Sequence, residues 1–503
     1  MPSPRLLSLS GRLGESFRSA TCLDTTHLAV FRMVAGCLLV ADAALRSRDA
    51  WLFMAPEGIF PLSVIQAYLS PGCWSLAFAG EPFWWQATIL GLEAVAGILL
   101  AVGLCTPVAS ILAWIIWVSI LRRTAPALNA GDYWMACLLF WSMFLPLGER
   151  WSIDARRRRA AGTATVCGLA PAAFVAQVLL VYVAAGQSKL QGTWLAGTAV
   201  GYALSVHDHG TPLGAALIAL PGVIPFLTWG VLALELLGPL AYCFGTKPVR
   251  RWIAFCFMLF HASIWITMTV GLFAPVGILA WIPLLPGRHQ ADRATGQYPV
   301  SNKSRLGICR RACLGMAVVV ALFAYSHPLL RPNRPASGWL TVPVNLLCLE
   351  QSWAMFGDVG PFEQWVTGRA VLADGRVVDL LRAGRPFVAD HPPSGFSSLP
   401  NHRWHKLFWE LPKQRQAALR DGVAAGLVAD WNRRQPSTAA VESLEIRTTR
   451  VTLSDRPAAD GRLAEPAPSG VLRQWLLASW PPRGGGAGNL DRFLEKQEPD
   501  RPR

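Results

Sequence analysis

Hydrophobic residues occur along this chain in long blocks that polar loops and turns separate. The blocks predict nine membrane spans, at 27–46, 83–105, 107–121, 133–148, 165–187, 223–243, 252–270, 271–286 and 312–327. Several blocks are shorter than the ~20 residues that usually cross a bilayer, which favours inner helices covered by their neighbours. One more apolar segment, 212–222, is interrupted by Pro221 and Gly222, and we expect it to be re-entrant or interfacial.

The pattern changes after about residue 350. Residues 365–381, WVTGRAVLADGRVVDLL, alternate on both sides of Asp374 and Gly375, which predicts a β-hairpin. An amphipathic helical pattern covers 402–430, and 441–453 alternates again as a strand. These elements predict a small folded domain after the membrane region.

Basic residues cluster in three loops between the apolar blocks: Arg156 to Arg159, Lys247 with Arg250 and Arg251, and Arg288 through Arg311. Clusters of this kind mark the cytoplasmic side of a membrane protein. With nine crossings, all three clusters lie inside and residues 328–503 lie outside. Arg122 and Arg123 then fall outside, which is a local exception to the rule.

The predicted fold is an α-helical polytopic membrane bundle of about nine spans, followed by a small extracytoplasmic α+β or β-sandwich-like domain. Its parts are a cytoplasmic N-terminal tail (1–26), the transmembrane bundle (27–327), the extracytoplasmic domain (328–482) and a C-terminal tail predicted to be disordered (483–503). The first apolar block is long and lacks a small-residue cleavage site, so we expect it to remain as the first span rather than act as a signal peptide.

The composition supports a membrane protein and excludes several other classes. Of 503 residues, 52% are hydrophobic and only 15% are charged, which is too apolar for a soluble protein of this length. The net charge of +15 comes largely from the loop clusters, and no basic face interleaved with stacking aromatics accompanies it, so nucleic acid is not an expected partner. The expected partner is the lipid bilayer of a bacterial-type cell membrane.

The eleven cysteines are scattered and show no paired metal-ligand spacing, so no metal is expected. Cys73 and Cys348 are the two cysteines that an oxidising compartment is expected to join. His207, Asp208 and His209 would need a strand to point both imidazoles one way, and no further ligand is evident. The sequence contains no phosphate-binding glycine loop, GxSxG elbow or HExxH motif, so nucleotide, acyl-transfer and zinc chemistries have no support.

Lys189 interrupts an apolar stretch in VYVAAGQSKLQGTWLAG, residues 181–197. A lysine costs about 2.5–3.5 kcal/mol at the centre of a membrane helix, so its presence requires a reason. One interpretation is that the side chain extends to the lipid headgroups. Alternatively it is a general base, because desolvation disfavours the ammonium form and so favours an amine that accepts protons.

Two acids also lie inside predicted spans, Glu93 and Glu235. Ionisable groups at such positions usually face the interior of the bundle. Glu235 could hold a proton or orient Lys189, or it could be part of a structural ion pair. Arg32 is a possible partner of either acid, although its position near a helix end also allows it to extend into the headgroups.

Several motifs occur in an order that resembles the horizontally transferred transmembrane (HTTM) domain, the membrane portion of the vitamin K-dependent gamma-glutamyl carboxylases. They are FRMVAGCLLVADAALR (31–46), GLCTPVASIL (103–112), RRTAPALNAGDYW (122–134), LPLGERWSIDA (145–155), YVAAGQSKLQGTWLAG (182–197) and FHASIWITMTVGLF (260–273). Together they cover roughly residues 25–290. The resemblance implies a membrane-embedded enzyme that uses a reduced, vitamin K-like quinone.

In those carboxylases the lysine of the AG-x-x-K-L-x-x-x-W-x-x-G stretch deprotonates vitamin K hydroquinone, and Lys189 occupies that position. The hydroquinone anion reacts with oxygen, the resulting base removes a gamma proton from a peptide glutamate, and the carbanion captures carbon dioxide. The resemblance therefore implies Lys189 as the base. An apolar mouth lined by Tyr182 and Trp194 would desolvate this lysine and offer a surface for the quinone ring. Glu235 is the further candidate catalytic residue, because it lies inside an apolar span. His261 matches a histidine of the family pattern, where it is either a site residue or a structural hydrogen-bonded group.

One position departs from the family pattern. Eukaryotic carboxylases have a histidine in the asparagine-rich stretch after the third span, and LNAGDYW places Gly131 there. The nearest ionisable residue, Asp132, cannot stabilise an anion as a histidinium does. Glutamate carboxylation itself is therefore in doubt, whereas another quinone-dependent reaction remains open.

The leading hypothesis is an HTTM-type membrane protein with carboxylase-like activity on a peptide or small substrate at the outer membrane face. The alternative is a non-enzymatic membrane component for export or maturation of a secreted peptide. A transporter is the third possibility, although the sequence contains no inverted repeat of hydropathy. An enzyme needs Lys189, Glu235 and His261 to converge on one pocket, whereas a scaffold leaves them separated or each internally paired.

Overall fold

The computed structural model describes most of the membrane region and most of the C-terminal domain. The described residues are 14–158, 163–205, 210–287 without 219 and 221, 312–324 without 323, 338–388 without 352, 358 and 361, 398–452 without 414–416, and 473–482. The predicted C-terminal tail, the third arginine cluster and the histidines at 207 and 209 lie outside these residues.

Helices dominate the first part of the chain. They are α1 (Thr25–Ser47), α2 (Ala50–Met54), α3 (Leu62–Tyr68), α4 (Phe83–Val102), α5 (Thr106–Arg123), α6 (Ala130–Ser142), α7 (Ile153–Arg157), α8 (Leu169–Ser188), α9 (Gly192–Leu195), α10 (Ala199–Ser205), α11 (Pro212–Ile218), α12 (Val223–Phe244), α13 (Lys247–Thr267), α14 (Phe273–Trp281) and α15 (Ala312–Leu322). Within the described residues, six of them are long and apolar enough to cross a membrane: α1, α4, α5, α8, α12 and α13. The chain therefore has the architecture of an integral membrane protein.

Three predicted spans correspond to helices shorter than a bilayer is thick. The block 133–148 forms α6, with 13 residues, and 271–286 forms α14, with nine. At ~1.5 Å per residue, nine residues reach about 14 Å. Trp134 in α6 and Trp281 in α14 are fully buried, so the short blocks lie inside the bundle as expected. The third block, 312–327, contains the short apolar helix α15.

Close packing of α1 on α4 depends on two glycines. A Cβ placed on Gly97 would lie 2.7 Å from the Gly36 carbonyl oxygen, and Gly36 faces Gly97 in return. Small residues at a membrane helix interface let the backbones approach closely. This contact brings the polar side chains of α1 and α4 together in the bundle interior.

One end of the bundle carries a disulfide, and we call it the disulfide end. Cys22 and Cys167 are bonded, beside a short ladder in which β1 (Leu23–Asp24) pairs antiparallel with β2 (Thr165–Val166). The sequence-based pairing of Cys73 with Cys348 is wrong, because both are free thiols. The β1–β2 ladder brings together Cys22 and Cys167, which are 145 positions apart, and no local spacing in the sequence indicates that contact.

The described arginine clusters lie at the disulfide end. Arg250, at the start of α13, donates hydrogen bonds to Ser16 and Ser19 of the N-terminal segment. Asp154, just before Arg156, accepts from the Thr106 backbone at the start of α5. The two clusters thus share one end of the bundle, and α8 runs from that end to the C-terminal domain.

The C-terminal domain combines one antiparallel sheet with helices. Its elements are α16 (Gly338–Leu347), β3 (Phe362–Leu372), β4 (Val377–Asp379), β5 (Arg385–Pro386), α17 (His402–Glu410), α18 (Ala417–Arg434), β6 (Val441–Thr452) and β7 (Arg473–Trp480). The sheet is antiparallel with the order β5-β4-β3-β6-β7. The predicted hairpin is confirmed: β3 and β4 pair, and Gly375 takes the positive φ of +82° that the turn requires. The α+β alternative is therefore correct for the described residues.

This domain is docked on the bundle. In α18, Gly426 packs directly against the Gly58 backbone, so no side chain fits at 426 without displacing it. The Trp404 ring of α17 contacts Phe53 edge-on, with centroids 5.8 Å apart. Asn401 donates a hydrogen bond to Asp49 at the end of α1. We call the end of the bundle that carries these contacts the domain end.

Arg122 and Arg123, the exceptions to the arginine rule, have structural roles at the domain end. Arg122 pairs with Glu350. Arg123 donates to the backbone carbonyls of Met54 and Phe60, at 2.7 and 2.8 Å. Both guanidinium groups are buried, so they hold loops together and are not loop charges of the kind that determine orientation.

Candidate functional site

Lys189 lies at the C-terminal end of α8, and its ammonium group is paired inside the protein. Its Nζ is 2.8 Å from Glu235 Oε2 and 3.1 Å from Oε1, and it lies 5.2 Å from the centroid of the Trp194 ring. The residue is 3% exposed. Lys189 therefore does not extend outward to the headgroups, and its charge is balanced by Glu235.

Gly186 makes this pair possible. A Cβ on Gly186 would lie 2.8 Å from the Leu236 side chain and 3.3 Å from the Cβ of Glu235. Because glycine has no side chain, α12 approaches α8 one turn before Lys189, and Glu235 reaches the ammonium group. The local sequence AAGQSK thus sets the geometry of the pair.

A second polar group lies on the same face of α8, seven residues before Lys189. The Tyr182 hydroxyl accepts a hydrogen bond from Trp281 Nε1 at 2.7 Å and lies 2.8 Å from His261 Nε2. Because Trp281 can only donate, the hydroxyl can donate its own proton to His261. His261 Nδ1 has no hydrogen-bond partner among the described residues and packs on Gly277. His261 is therefore a buried, hydrogen-bonded histidine.

The predicted site residues thus form two closed pairs along α8. Lys189 pairs with Glu235, and Tyr182 pairs with His261. Two cavities lie between the bundle and the C-terminal domain, and none of these four side chains contributes to the wall of either cavity. Tyr182 belongs to the aromatic core, where the centroid of its ring lies 4.1 Å from the centroid of the Phe257 ring.

The first cavity, which we call the interdomain cavity, lies between the bundle and the C-terminal domain and has a volume of about 470 Å³. Its aromatic walls are Phe273, Phe356, Phe362 and Trp409, and its polar groups include Asn129, His402, Lys406 and Glu410. Asn129 and His402 are hydrogen-bonded across the interface, at 2.8 Å. Both domains therefore contribute to one amphipathic cavity.

Lys189 lies one layer behind the wall of the interdomain cavity. Its neighbours Ser188 and Gln191 line that cavity. Trp194 covers the ammonium group, and its indole nitrogen donates to the Phe356 carbonyl at 2.7 Å. Trp194 thus separates the Lys189–Glu235 pair from the cavity rather than lining an open mouth.

The second cavity, which we call the charged cavity, has a volume of about 610 Å³ and shares Asn129, His402 and His405 with the first. Four charged residues from three helices line it and form an ion-pair network. Arg403 of α17 donates to Asp42 of α1 at 2.6 Å, and Arg46 of α1 bonds Asp42 and lies 3.3 Å from Asp132 of α6. The C-terminal domain therefore inserts a charge into the bundle.

Sequence reasoning did not single out Asp42, Arg46 or Arg403. Asp42 and Arg46 lie four residues apart on one helix face, a spacing typical of ion pairs, and this signal was present in the apolar first span. Arg403 had no such signal, because its partners are in another domain.

Arg32 is not the partner of a buried acid. Its guanidinium donates to the carbonyls of Leu100, Ala101 and Trp151, each at 2.6 Å. These include the last carbonyls of α4, which a helix leaves without an internal donor. The suggested pairing of Arg32 with Glu93 or Glu235 is therefore wrong.

Gly131, at the position of the family histidine, has no room for any side chain. A Cβ there would lie 2.7 Å from the Phe273 Cα and 2.9 Å from Asn129 Oδ1. A histidine at 131 would displace the start of α14. The close packing of the α6 backbone against Phe273 therefore requires glycine at position 131.

No group of three or more histidine, cysteine or acidic residues in the described part of the chain is arranged to hold a metal ion.

A bundle of long apolar helices with a buried lysine–glutamate pair defines a polytopic integral membrane protein with an ionisable group in its interior. The chain belongs to the HTTM domain family: the family model matches residues 21–286, more than half of its length. This match confirms the resemblance drawn from the sequence motifs. No curated protein and no solved structure matches the chain.

Proposed function

We propose that this HTTM-family protein performs quinone-dependent, carboxylase-like chemistry on a peptide or small substrate at the domain end of the bundle. The observation that carries the proposal is the buried Lys189–Glu235 pair, which lies directly behind the wall of the interdomain cavity. Ionisable groups inside a membrane protein are costly, and they commonly mark functional sites.

The pair suits proton abstraction. Transfer of a proton from Lys189 Nζ to a Glu235 oxygen leaves a neutral amine and a neutral acid. The resting pair is ionic, and the low dielectric around it keeps the free-energy cost of this exchange small, because the exchange removes two buried charges. The amine then accepts a proton from an acidic hydroxyl of the substrate, while Glu235 retains the first proton.

The interdomain cavity fits a reduced quinone. Small-molecule sites typically have volumes of ~300–1,000 Å³ and apolar walls with a few polar groups, and this cavity has both properties. Phe273, Phe356 and Trp409 would hold a ring, and Asn129 and His402 would bond its oxygens. When bound, such a quinone supplies the acidic hydroxyl and the reducing electrons. The hydrogen bond between Trp194 and Phe356 must open for Lys189 to reach it.

Incorporation of labelled bicarbonate into peptides from the same cell, with and without reduced quinone, tests this proposal on the purified full-length protein. Lys189→Arg should abolish incorporation while the variant stays folded, since a guanidinium group is not deprotonated at useful pH. A fully active Lys189→Arg variant would exclude Lys189 as the base.

The second candidate function is a non-enzymatic role in export or maturation of a secreted peptide. It is favoured by the closed geometry of the site, in which Lys189 with Glu235 and Tyr182 with His261 are each internally paired. In this case Lys189→Arg should support peptide export at the parental level, and no bicarbonate should be incorporated by either protein.

We further propose nine crossings, with the C-terminal domain outside the cytoplasm. The basic clusters at the disulfide end favour the cytoplasm for that end. The Cys22–Cys167 disulfide favours an oxidising compartment for the same end, and the two signals disagree. We follow the basic clusters, because the lysine and arginine bias of short loops is what sets orientation.

Reporters fused after residues 160, 249 and 300 should therefore read cytoplasmic, and one after 400 extracytoplasmic. Thiol alkylation in intact cells adds an independent measurement at Cys22 and Cys167. A cytoplasmic reading at 400 would reverse the orientation.

A further inference from the structure

Glu93 lies beside the charged network but is not part of its ion pairs. It is 1% exposed, in the middle of α4. Its helix packs on α1 with Gly97 against the Gly36 backbone, which places Glu93 beside Asp42, yet neither of its oxygens has a hydrogen-bond donor within the described part of the chain. Two ionised carboxylates in contact would repel each other, and neither can donate a hydrogen bond.

The charges of the network identify which acid is neutral. Two guanidinium groups, of Arg46 and Arg403, face three carboxyl groups, of Asp42, Asp132 and Glu93. An unbalanced charge is strongly disfavoured in a buried site. Asp42 and Asp132 contact both arginines, whereas Glu93 contacts neither in an ion pair. Arg48 and Asp49 also line the charged cavity, and their opposite charges cancel. Charge balance therefore requires a proton on Glu93.

We propose that Asp42 and Glu93 form a proton-binding site at the charged cavity. Glu93 carries the proton and donates it to Asp42, which remains a carboxylate because Arg46 and Arg403 both bond it. Asp42 lines the charged cavity, so the pair can exchange its proton with water or a polar ligand there.

This site is separate from the pair in the proposed function. Asp42 and Glu93 lie on α1 and α4, whereas Lys189 and Glu235 lie on α8 and α12. The proton-binding site stands even if Lys189 is not a base, and its test does not depend on activity.

Infrared spectroscopy of the purified full-length protein tests the assignment. A protonated carboxylic acid has a carbonyl stretch that an ionised carboxylate lacks. Glu93→Gln should remove this band, and it should fold, because a neutral amide replaces a neutral acid and can still donate to Asp42. Glu235→Gln is the matched control and should keep the band, since Glu235 is ion-paired. A full band in Glu93→Gln would overturn the assignment.

A measurement on the parent protein keeps the test decisive if a variant is unstable. After transfer to heavy water, the acid band should shift within seconds to minutes, long before the slowest backbone amides of the bundle exchange. A parent spectrum without an acid band would show that Glu93 is ionised. A band that shifts only with the slowest amides would show a sealed proton with no access to the charged cavity.

Discussion

The two buried charged sites of this protein balance their charges in different ways. Lys189 and Glu235 are one cation and one anion, both from the membrane bundle, and they pair only with each other among the described ion pairs. The network around Asp42 joins two arginines to three acids, and one of these arginines, Arg403, comes from the C-terminal domain. The first site is closed, whereas the second is open to a cavity and spans two domains.

This difference determines how each site can use a proton. The Lys189–Glu235 pair becomes neutral by moving one proton within the pair, so its net charge never changes. The Asp42 network is balanced only when Glu93 carries a proton and Arg403 is in place. Docking of the C-terminal domain therefore supplies Arg403, whose positive charge balances the buried acids of the bundle.

The largest expected effect comes from breaking the network at its centre. Asp42→Asn removes the carboxylate that bonds both Arg46 and Arg403, and removal of one partner from a buried ion pair typically costs about 3–5 kcal/mol. Thermal unfolding of the purified protein in detergent should show a large loss of stability or no folded protein. Asp374→Asn, at the exposed hairpin turn, is the control and should unfold near the parent temperature. A parental melting temperature for Asp42→Asn would contradict the network.

The sequence predicted elements well where the signal was local. The hairpin around Gly375 follows from a period of two and a turn residue, and the buried short helix at Trp281 follows from an apolar block too short to cross a bilayer. The sequence also pointed to Lys189 and Glu235, since ionisable residues in apolar blocks are rare.

Contacts between distant segments were not predictable in this way. Cys22 and Cys167 meet through a two-residue ladder, and Arg403 meets Asp42 across 361 positions. Such contacts depend on how the domains pack, and one sequence contains no local pattern for them. The resemblance to the HTTM domain supplied the family, which periodicity alone could not have done.

The second prediction contrasts the closed pair with the network. Lys189→Met leaves the Glu235 carboxyl buried without its partner and should cost about 3 kcal/mol. Adding Glu235→Leu should recover most of this loss, because an apolar pair of similar volume is often as stable as a buried ion pair. The free energies of unfolding of the parent, the two single variants and the double variant together form a double-mutant cycle. Simple additivity of the two losses would show that the two side chains do not interact.

The third prediction concerns α6, which lies between the two sites. Gly131→Ala places a methyl group against the Phe273 backbone and should cost about 1–3 kcal/mol, the usual range for overpacking. Gly91→Ala in α4 is the matched control, since a Cβ there meets nothing within 4 Å. Because alanine is the better helix former, the control should be neutral or slightly stabilising. Equal stability of both variants would show that Gly131 is not tightly packed.

The smallest effect is expected at Asp154, a partly exposed acid at the disulfide end. Burial alone would raise the pKa of its carboxyl group, but hydrogen bonds from Thr106 and Cys105 outweigh burial and lower the pKa. The carboxylate caps the start of α5, so Asp154→Asn should cost about 1 kcal/mol at neutral pH. Because the pKa is lower in the folded state, this contribution is complete above the unfolded value of about 3.9 and disappears as pH falls through the folded value. The free energies of unfolding of the parent and the variant should therefore converge in acid. A difference that persisted there would show that the charge of Asp154 does not stabilise the helix.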